Sequence, residues 1–135
     1  TSLAAGVVTI SERFGGGVDV TPSSFAAMRD HLRPMLRDFA QRVSTANGGS
    51  PPVPSHLLGT SGTVTTIAGV QLGLQRYDRA RVDGCWLNSD DIGAVTSRLL
   101  HLSYEQRAAN PCIGRERADL VLAGCAILEE IRLVR

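Results

Sequence analysis

The sequence predicts an α/β domain that is rich in helices and has few strands. A short apolar run at residues 56–58 meets glycines and hydroxyl residues, and the apolar positions that follow have helical spacing, as expected where a buried strand leads into a helix. The β-branched run at residues 6–10 is typical of a second strand. Residues 118–128 are apolar nearly all round, so we expect a helix there that packs against a sheet and is covered on its back.

The composition is that of an ordinary globular domain. The 135 residues are 43% hydrophobic, which is enough for one core. All 14 basic residues are arginine, a residue that favours planar, bidentate contacts with phosphate or carboxylate where it is buried. The net charge is only +1 and aromatic residues make up 4%, so a nucleic-acid surface is not expected.

The first half of the chain predicts one long amphipathic helix. It follows a turn or helical stub and then a glycine connector at residues 11–17. Thr21 is placed as the N-cap and Pro22 in the first turn, and Pro34 predicts a kink or break near Arg33. Basic and acidic residues interleave along this helix, and the simplest interpretation is a solvated face. These residues are Arg29, Arg33, Arg37, Arg42, Asp30 and Asp38.

The middle of the chain predicts a surface loop followed by the strand and helix of the central junction. The loop is rich in Gly, Pro and Ser and covers residues 47–54. A short helix is expected over residues 63–74, with Gly69 marking close packing or the helix end. Residues 75–83 are a charged connector, and residues 81–87 are either a short extended edge or a loop.

The last third of the chain predicts three helices. Ser89 and the carboxylates after it start the first, and Ser103 to Gln106 fit a capping box for the second. The third is expected over residues 115–132. Two strands are few for helices so deeply buried, and the chain starts at Thr1 without a methionine, shortly before a strand-like segment. We therefore expect residues 1–135 to be a single partial domain, a piece of a longer protein.

The glycine-rich junction predicts an anion site. Gly59 and Gly62 allow the backbone to turn and to approach a ligand closely, and the free amides and positive dipole end of the following helix favour negative charge. Thr60, Ser61 and Thr63 add hydroxyl donors. The alternative is that Ser61 simply caps the helix and the glycines make a tight turn. No Lys follows the second glycine, so a Walker A loop is not expected.

Other chemical sites find little support in the residue spacing. Ser61 lies one residue short of a Gly-x-Ser-x-Gly elbow, so a serine nucleophile is disfavoured. The three histidines lack metal-ligand spacing, and the three cysteines are expected to be buried or half-buried thiols in a reducing cytosol. Neither a membrane-spanning run nor a secretion leader is expected. The three histidines are His31, His56 and His101, and the three cysteines are Cys85, Cys112 and Cys125.

Three ordered blocks resemble a known family. They are Gly-Val-Val-Thr-Ile-Ser-Glu-Arg-Phe at 6–14, Leu-Gly-Thr-Ser-Gly-Thr-Val-Thr at 58–65, and Asn-Pro-Cys-Ile-Gly-Arg-Glu-Arg-Ala-Asp-Leu-Val-Leu-Ala-Gly at 110–124. With Tyr-Asp-Arg at 77–79, they closely resemble the exopolyphosphatase / guanosine pentaphosphate phosphohydrolase (Ppx/GppA) family. The resemblance covers essentially the whole chain.

The resemblance implies an incomplete ribonuclease-H-like (actin-like ATPase) domain, most of the second of two domains that face a cleft. It implies release of terminal phosphate from polyphosphate or guanosine pentaphosphate with magnesium. The catalytic glutamate and the magnesium ligands would lie outside this chain, in or near the missing first domain. The loop from Gly59 to Thr63 would face phosphate or nucleotide. Arg117 lies in the third block and could bind phosphate bidentately, the alternative being an ion pair with a carboxylate.

Two other functions remain open at this point. One is the ATP-binding domain fragment of a sugar or acetate kinase-like protein, and the other is a non-catalytic structural fragment. Under the phosphatase interpretation we expect a cytoplasmic protein whose substrate is polyphosphate or guanosine penta- or tetraphosphate. We expect the isolated chain to be inactive. Unpaired strand edges would favour a homodimer.

Overall fold

The computed structural model describes residues 2–51 and 53–134, and within these ranges the chain forms seven helices and no strand. The helix-rich prediction is therefore confirmed, while both predicted strands are wrong. The helices are α1 (Val7–Arg13), α2 (Pro22–Ala46), α3 (Gly62–Gln71), α4 (Arg79–Val82), α5 (Ser89–Leu100), α6 (Tyr104–Ala109) and α7 (Val121–Leu133).

Helix α7 is the centre of the fold. Helix α2 packs along it, and α1, α3 and α5 contact it from other directions. The residues from Val121 to Ala126 are all buried, so the expectation of cover on more than one side is confirmed. The cover consists of other helices, and the expected sheet is absent from the described ranges. The helix predicted over residues 115–132 begins only at Val121. Residues 115–120 form turns that precede it.

The β-branched run at residues 6–10 belongs to α1 and forms no strand. Strand and helix propensities differ by only about 1 kcal/mol per residue, so packing can outweigh them. In the helix, Ile10 and Ser11 fall on one face and are each 1% exposed where α1 packs against α7. Burial of this face decides the conformation against the local preference of the β-branched residues.

The predicted strand at residues 56–58 is irregular and exposed. Leu57 is 56% exposed and Leu58 is 87% exposed. A strand needs a neighbour to pair its backbone N–H and C=O groups, and no described segment of this chain pairs with this one. The surface loop predicted over residues 47–54 is exposed, although Pro52 lies outside the described residues.

Helix α2 begins as predicted and continues past Pro34, so the break expected near Arg33 is wrong, while the kink stays a prediction. The side chain of Thr21 accepts a hydrogen bond from the amide of Ser24, and Ser24 Oγ accepts one from the amide of Thr21, which is a capping box. The helix continues through Pro34 to Ala46. Proline removes one backbone hydrogen bond inside a helix. The fully buried Leu32, two residues before Pro34, keeps this part of the helix packed in the core.

The arginines of α2 are not all on a solvated face. Glu130 of α7, 1% exposed, accepts hydrogen bonds from Arg29 Nε at 2.7 Å and from Arg33 Nε and Nη2 at 3.1 Å each. The prediction was therefore wrong for these two arginines, because a carboxylate distant in sequence recruits them. The exposed ion pair between Arg42 and Asp38 agrees with the prediction of a solvated face. The buried carboxylate ties α2 to α7.

The second half of the chain largely follows its capping signals. Helix α5 starts at Ser89 behind an Asn88–Asp91 capping box, and the predicted Ser103–Gln106 box opens α6. The charged connector contains the short helix α4, which Asp78 caps. Residues 83–88 are irregular, so the segment left undecided at 81–87 ends α4 and then forms a loop.

The three cysteines agree with the prediction of buried or half-buried thiols. Cys112 and Cys125 are buried, Cys85 is partly exposed, and all three are free. Among the described residues, no helix is both long and apolar enough to cross a membrane.

Candidate functional site

The candidate site is built on the start of α3. Ser61 is the N-cap, with extended backbone angles, and its Oγ accepts from the amide of Val64 at 3.4 Å. The structural role considered for Ser61 is therefore confirmed, although a capping hydroxyl can still contact a ligand. The loop from Gly59 to Gly62 is exposed.

The two glycines of this loop differ in how much room each leaves for a side chain. Neither adopts a positive φ. A Cβ on Gly59 would lie 2.6 Å from the nearest side-chain carbon of Val64, so the loop lies directly on that valine. A Cβ on Gly62 would lie 3.5 Å from Nη1 of Arg117. The loop therefore lies against Val64 of α3 at Gly59, and at Gly62 it lies beside the guanidinium of Arg117.

Two backbone amides at the start of α3 are available to a ligand. Within residues 2–51 and 53–134, the amides of Gly62 and Thr63 donate no hydrogen bond. The helix dipole adds partial positive charge at the same end, so an anion would be stabilised here. This arrangement agrees with the anion site predicted from the glycine-rich junction.

The hydroxyl groups of the loop have different environments. Thr60 and Ser61 are exposed. Thr63 is half-buried, and its side chain packs on Gly124 of α7, where a Cβ would collide with it. Thr63 therefore also fixes the distance between α3 and α7. Thr65 donates back to the carbonyl of Gly62 at 3.1 Å. Direct ligand contact by the three predicted hydroxyls stays a prediction.

Arg117 is brought to the same place from the turn before α7. Its guanidinium lies beside Gly62, and Nη1 donates to the buried Oγ1 of Thr66 at 3.3 Å. The side chain is exposed, and no ion pair to it is formed by the described residues, so the carboxylate partner considered as an alternative is not seen. The structure therefore brings together all six predicted site residues, namely Gly59, Thr60, Ser61, Gly62, Thr63 and Arg117.

No metal site is formed by the residues that the structure describes. They contain no group of three His, Cys, Asp or Glu side chains that could hold a metal ion. The histidines have other contacts. The ring of His31 lies tilted against that of Phe14, His56 lies edge-on to Trp86, and Nδ1 of His101 lies 2.7 Å from a backbone carbonyl.

Two residues of the site were not predicted from the sequence. Thr66 contacts Arg117, and Gly124 receives Thr63. Thr66 lies on the buried face of α3, a position where a hydroxyl residue needs a hydrogen-bond partner. That requirement was a usable signal, although it does not say which partner.

The chain is similar to known proteins over nearly all of its length. A family model described as the Ppx/GppA phosphatase family matches residues 1–133. Exopolyphosphatase 2 of Mycobacterium tuberculosis, from strain CDC 1551 / Oshkosh and from strain ATCC 25618 / H37Rv, is 30% identical over 104 residues. The match covers 77% of this chain and 30% of that protein, so the chain spans less than a third of the curated relatives' length.

A solved structure has the same fold over the matched region. The crystal structure of the type II variant of the Aquifex aeolicus Ppx/GppA phosphatase matches with a TM-score of 0.83 and 23% identity. The match covers 99% of this chain and 41% of that chain. The family match and the structural match extend over the same elements, including the start of α3 and the turn that carries Arg117. The chain therefore belongs to the Ppx/GppA phosphatase family.

Proposed function

We propose that this chain forms one wall of the phosphate-binding cleft of a phosphoanhydride hydrolase, which releases terminal phosphate from polyphosphate or guanosine pentaphosphate. The observation that carries the proposal is the position of the Arg117 guanidinium beside Gly62, next to two free amides of α3. Helix-end amides and a planar guanidinium are both favourable donors to phosphate oxygens. The family and its exopolyphosphatase relatives support the reaction class.

In this proposal the chain binds and orients phosphate. The amides of Gly62 and Thr63 and the guanidinium of Arg117 stabilise the charge on phosphate oxygens, with the hydroxyls of Thr60 and Ser61 as further contacts. The magnesium that the family resemblance implies would be held by residues outside this chain. The role assigned here to the chain involves no metal.

The wider organisation is part of the same proposal. We place the chain in the second domain of an actin-like (ribonuclease-H-like) enzyme of the cytoplasm, opposite a first domain of the same protein. The match covers 41% of the Aquifex phosphatase chain, which supports placing this chain within a longer polypeptide. The proposed homodimer has lost its original argument, because no strand edge occurs in the described ranges. It now depends on exposed apolar residues such as Val53, Leu58 and Trp86.

Phosphate release by the natural full-length protein tests the proposal. Polyphosphate and guanosine pentaphosphate should be offered in parallel with magnesium, and Arg117→Ala should raise the KM for the better substrate. The matched control is Arg115→Ala, which removes a charge from an exposed pair two residues away. We expect that control to keep the wild-type KM.

Two outcomes would contradict the proposal. An Arg117→Ala enzyme with an unchanged KM would remove Arg117 from the site. Absence of phosphate release from both substrates, together with phosphate transfer from ATP to a sugar or acetate, would favour the kinase-like alternative. We also expect the isolated 135-residue chain to release no phosphate above background.

A further inference from the structure

A second arginine, Arg107 of α6, is buried without a carboxylate partner. Its side chain is 1% exposed, and no ion pair involves it among the described residues. Its guanidinium donates to four backbone carbonyls instead. Nε donates to Ala118 at 3.0 Å, Nη1 to Leu102 at 2.8 Å, and Nη2 to Gly17 at 2.9 Å and Val18 at 3.0 Å.

This arrangement both stabilises the fold and fixes its geometry. Burial lowers the pKa of Arg107, because removal from water disfavours the charged form. An apolar replacement would leave four backbone carbonyls without this donor, so the guanidinium also contributes to stability. What the guanidinium supplies, and an apolar side chain cannot, is a rigid fork of donors that fixes three separate backbone segments relative to one another.

One of these segments is the turn that carries Arg117. The carbonyl of Ala118, the next residue, accepts from Arg107, and the carbonyl of Asp119 accepts from Ser11 Oγ at 3.0 Å. Gly17 packs on that same carbonyl of Asp119, with a φ of 77° and no room for a Cβ. The turn is thus held from behind by three contacts.

The front of the turn faces the candidate site. From there Arg117 extends to Gly62 and Thr66. A shift of the turn by about 1 Å would separate the guanidinium from the first turn of α3, and misplacement on that scale is enough to weaken binding strongly. The contacts of Arg107 therefore act on the position of Arg117.

We propose that Arg107 is a positioning residue, which fixes the turn at residues 115–120 so that Arg117 presents its guanidinium over the start of α3. This inference rests on the proposed function, since it needs phosphate to be bound by Arg117. Arg107 is buried and does not contact phosphate, yet its proposed role gives it an effect on phosphate affinity.

A double-mutant cycle in the natural full-length protein tests the inference. Arg107→Met removes all four hydrogen bonds and keeps the apolar length of the side chain. We expect it to raise the KM for polyphosphate about tenfold with kcat largely retained. In an Arg117→Ala background the same change should alter the KM less than about twofold, because the group it positions is gone. Arg107→Lys should restore part of the affinity.

Two further variants keep the test decisive. If Arg107→Met does not fold, Ser11→Ala replaces it, since it removes one bond to the same turn. Its smaller rise in KM should likewise vanish in the Arg117→Ala background. The matched control is Arg115→Ala, an exposed arginine of the same turn, which should leave the KM unchanged in both backgrounds.

The outcomes separate this inference from the proposed function. An equal rise in KM in both backgrounds, or no rise in either, overturns the positioning role while the proposed function stands. If the wild-type protein releases no phosphate from either polyphosphate or guanosine pentaphosphate, the proposed function fails. The Arg107→Met and Arg117→Ala cycle is then repeated with equilibrium binding of polyphosphate as the measurement. Additive effects of the two substitutions, or no binding at all, overturn the positioning role as well.

Discussion

Replacing Gly62 by valine should displace Arg117 from the start of α3. A Cβ at this position lies 3.5 Å from Nη1 of Arg117, an ordinary contact, so Gly62→Ala should be tolerated. Valine adds two methyl groups about 1.5 Å further out, which brings them to within about 2 Å of the guanidinium when they point toward it. The guanidinium must then move, and the amides below become shielded.

The expected loss is about 1–3 kcal/mol of binding free energy, the range for one charge-assisted hydrogen bond, or about 5- to 140-fold in KM. Steady-state kinetics of the full-length protein should be paired with thermal melting. Gly62→Ala serves as the matched control, with a KM near that of the wild type. An unchanged KM in Gly62→Val with a collapsed Tm would assign the loop to structure, and would refute the reasoning.

Three further predictions concern the core. Glu130→Gln should lower the free energy of unfolding by about 1–3 kcal/mol in urea at neutral pH. Burial raises the pKa of Glu130, but hydrogen bonds from its two arginine partners outweigh burial and lower it overall. This stabilisation is complete above about pH 4.3 and is lost as pH falls through the folded pKa, so the two proteins should converge in acid. Gly124→Ala should destabilise the fold by about 1–3 kcal/mol through collision with Thr63, and Thr63→Ala should recover part of the loss. Burial raises the pKa of Cys125 to about 12, so iodoacetamide should label Cys85 first and spare Cys125 until unfolding.

Controls distinguish these effects from general weakening. Arg42→Ala breaks an exposed pair and should change stability by less than about 0.5 kcal/mol, in contrast to Glu130→Gln. A gap between wild type and Glu130→Gln that persists at low pH would contradict the role of the carboxylate. If Gly124→Ala is as stable as wild type, the close contact with Thr63 is not limiting. Early labelling of Cys125 on intact protein, measured by mass spectrometry, would show that the core opens.

The sequence predicts well what is decided within a few residues. Thr21, Ser61 and Ser103 each accept a hydrogen bond from an amide three residues later, so each helix start carries its own signal. The anion-binding character of the α3 start is local for the same reason. It depends on free amides and on glycines that keep side chains away.

The errors occur where distant residues decide. The run at residues 6–10 has strand propensity, yet its burial against α7, more than a hundred residues later, makes it a helix. Glu130 likewise recruits two apparently solvated arginines as half-buried partners of a buried carboxylate. Neither relation is visible in a local pattern, since both arise from tertiary packing.

The candidate site combines both kinds of information. Gly62 and Arg117 are each recognisable from the sequence, but their contact across the fold is not. Thr66 and Arg107 were missed because a hydroxyl on a buried face and an arginine in a short helix have no distinctive spacing. Only the folded chain shows what those two residues hold in place.

The central position of α7 also has a consequence for how the chain acquires its fold during synthesis. The ribosome completes α1, α2, α3 and α5 before α7, although all four bury residues against it. Until α7 emerges, the apolar faces of α1 and α2 lack their main partner, and contacts of such long sequence separation form slowly. The nascent segment up to residue 120 is therefore a natural client for chaperones that shield exposed apolar helices.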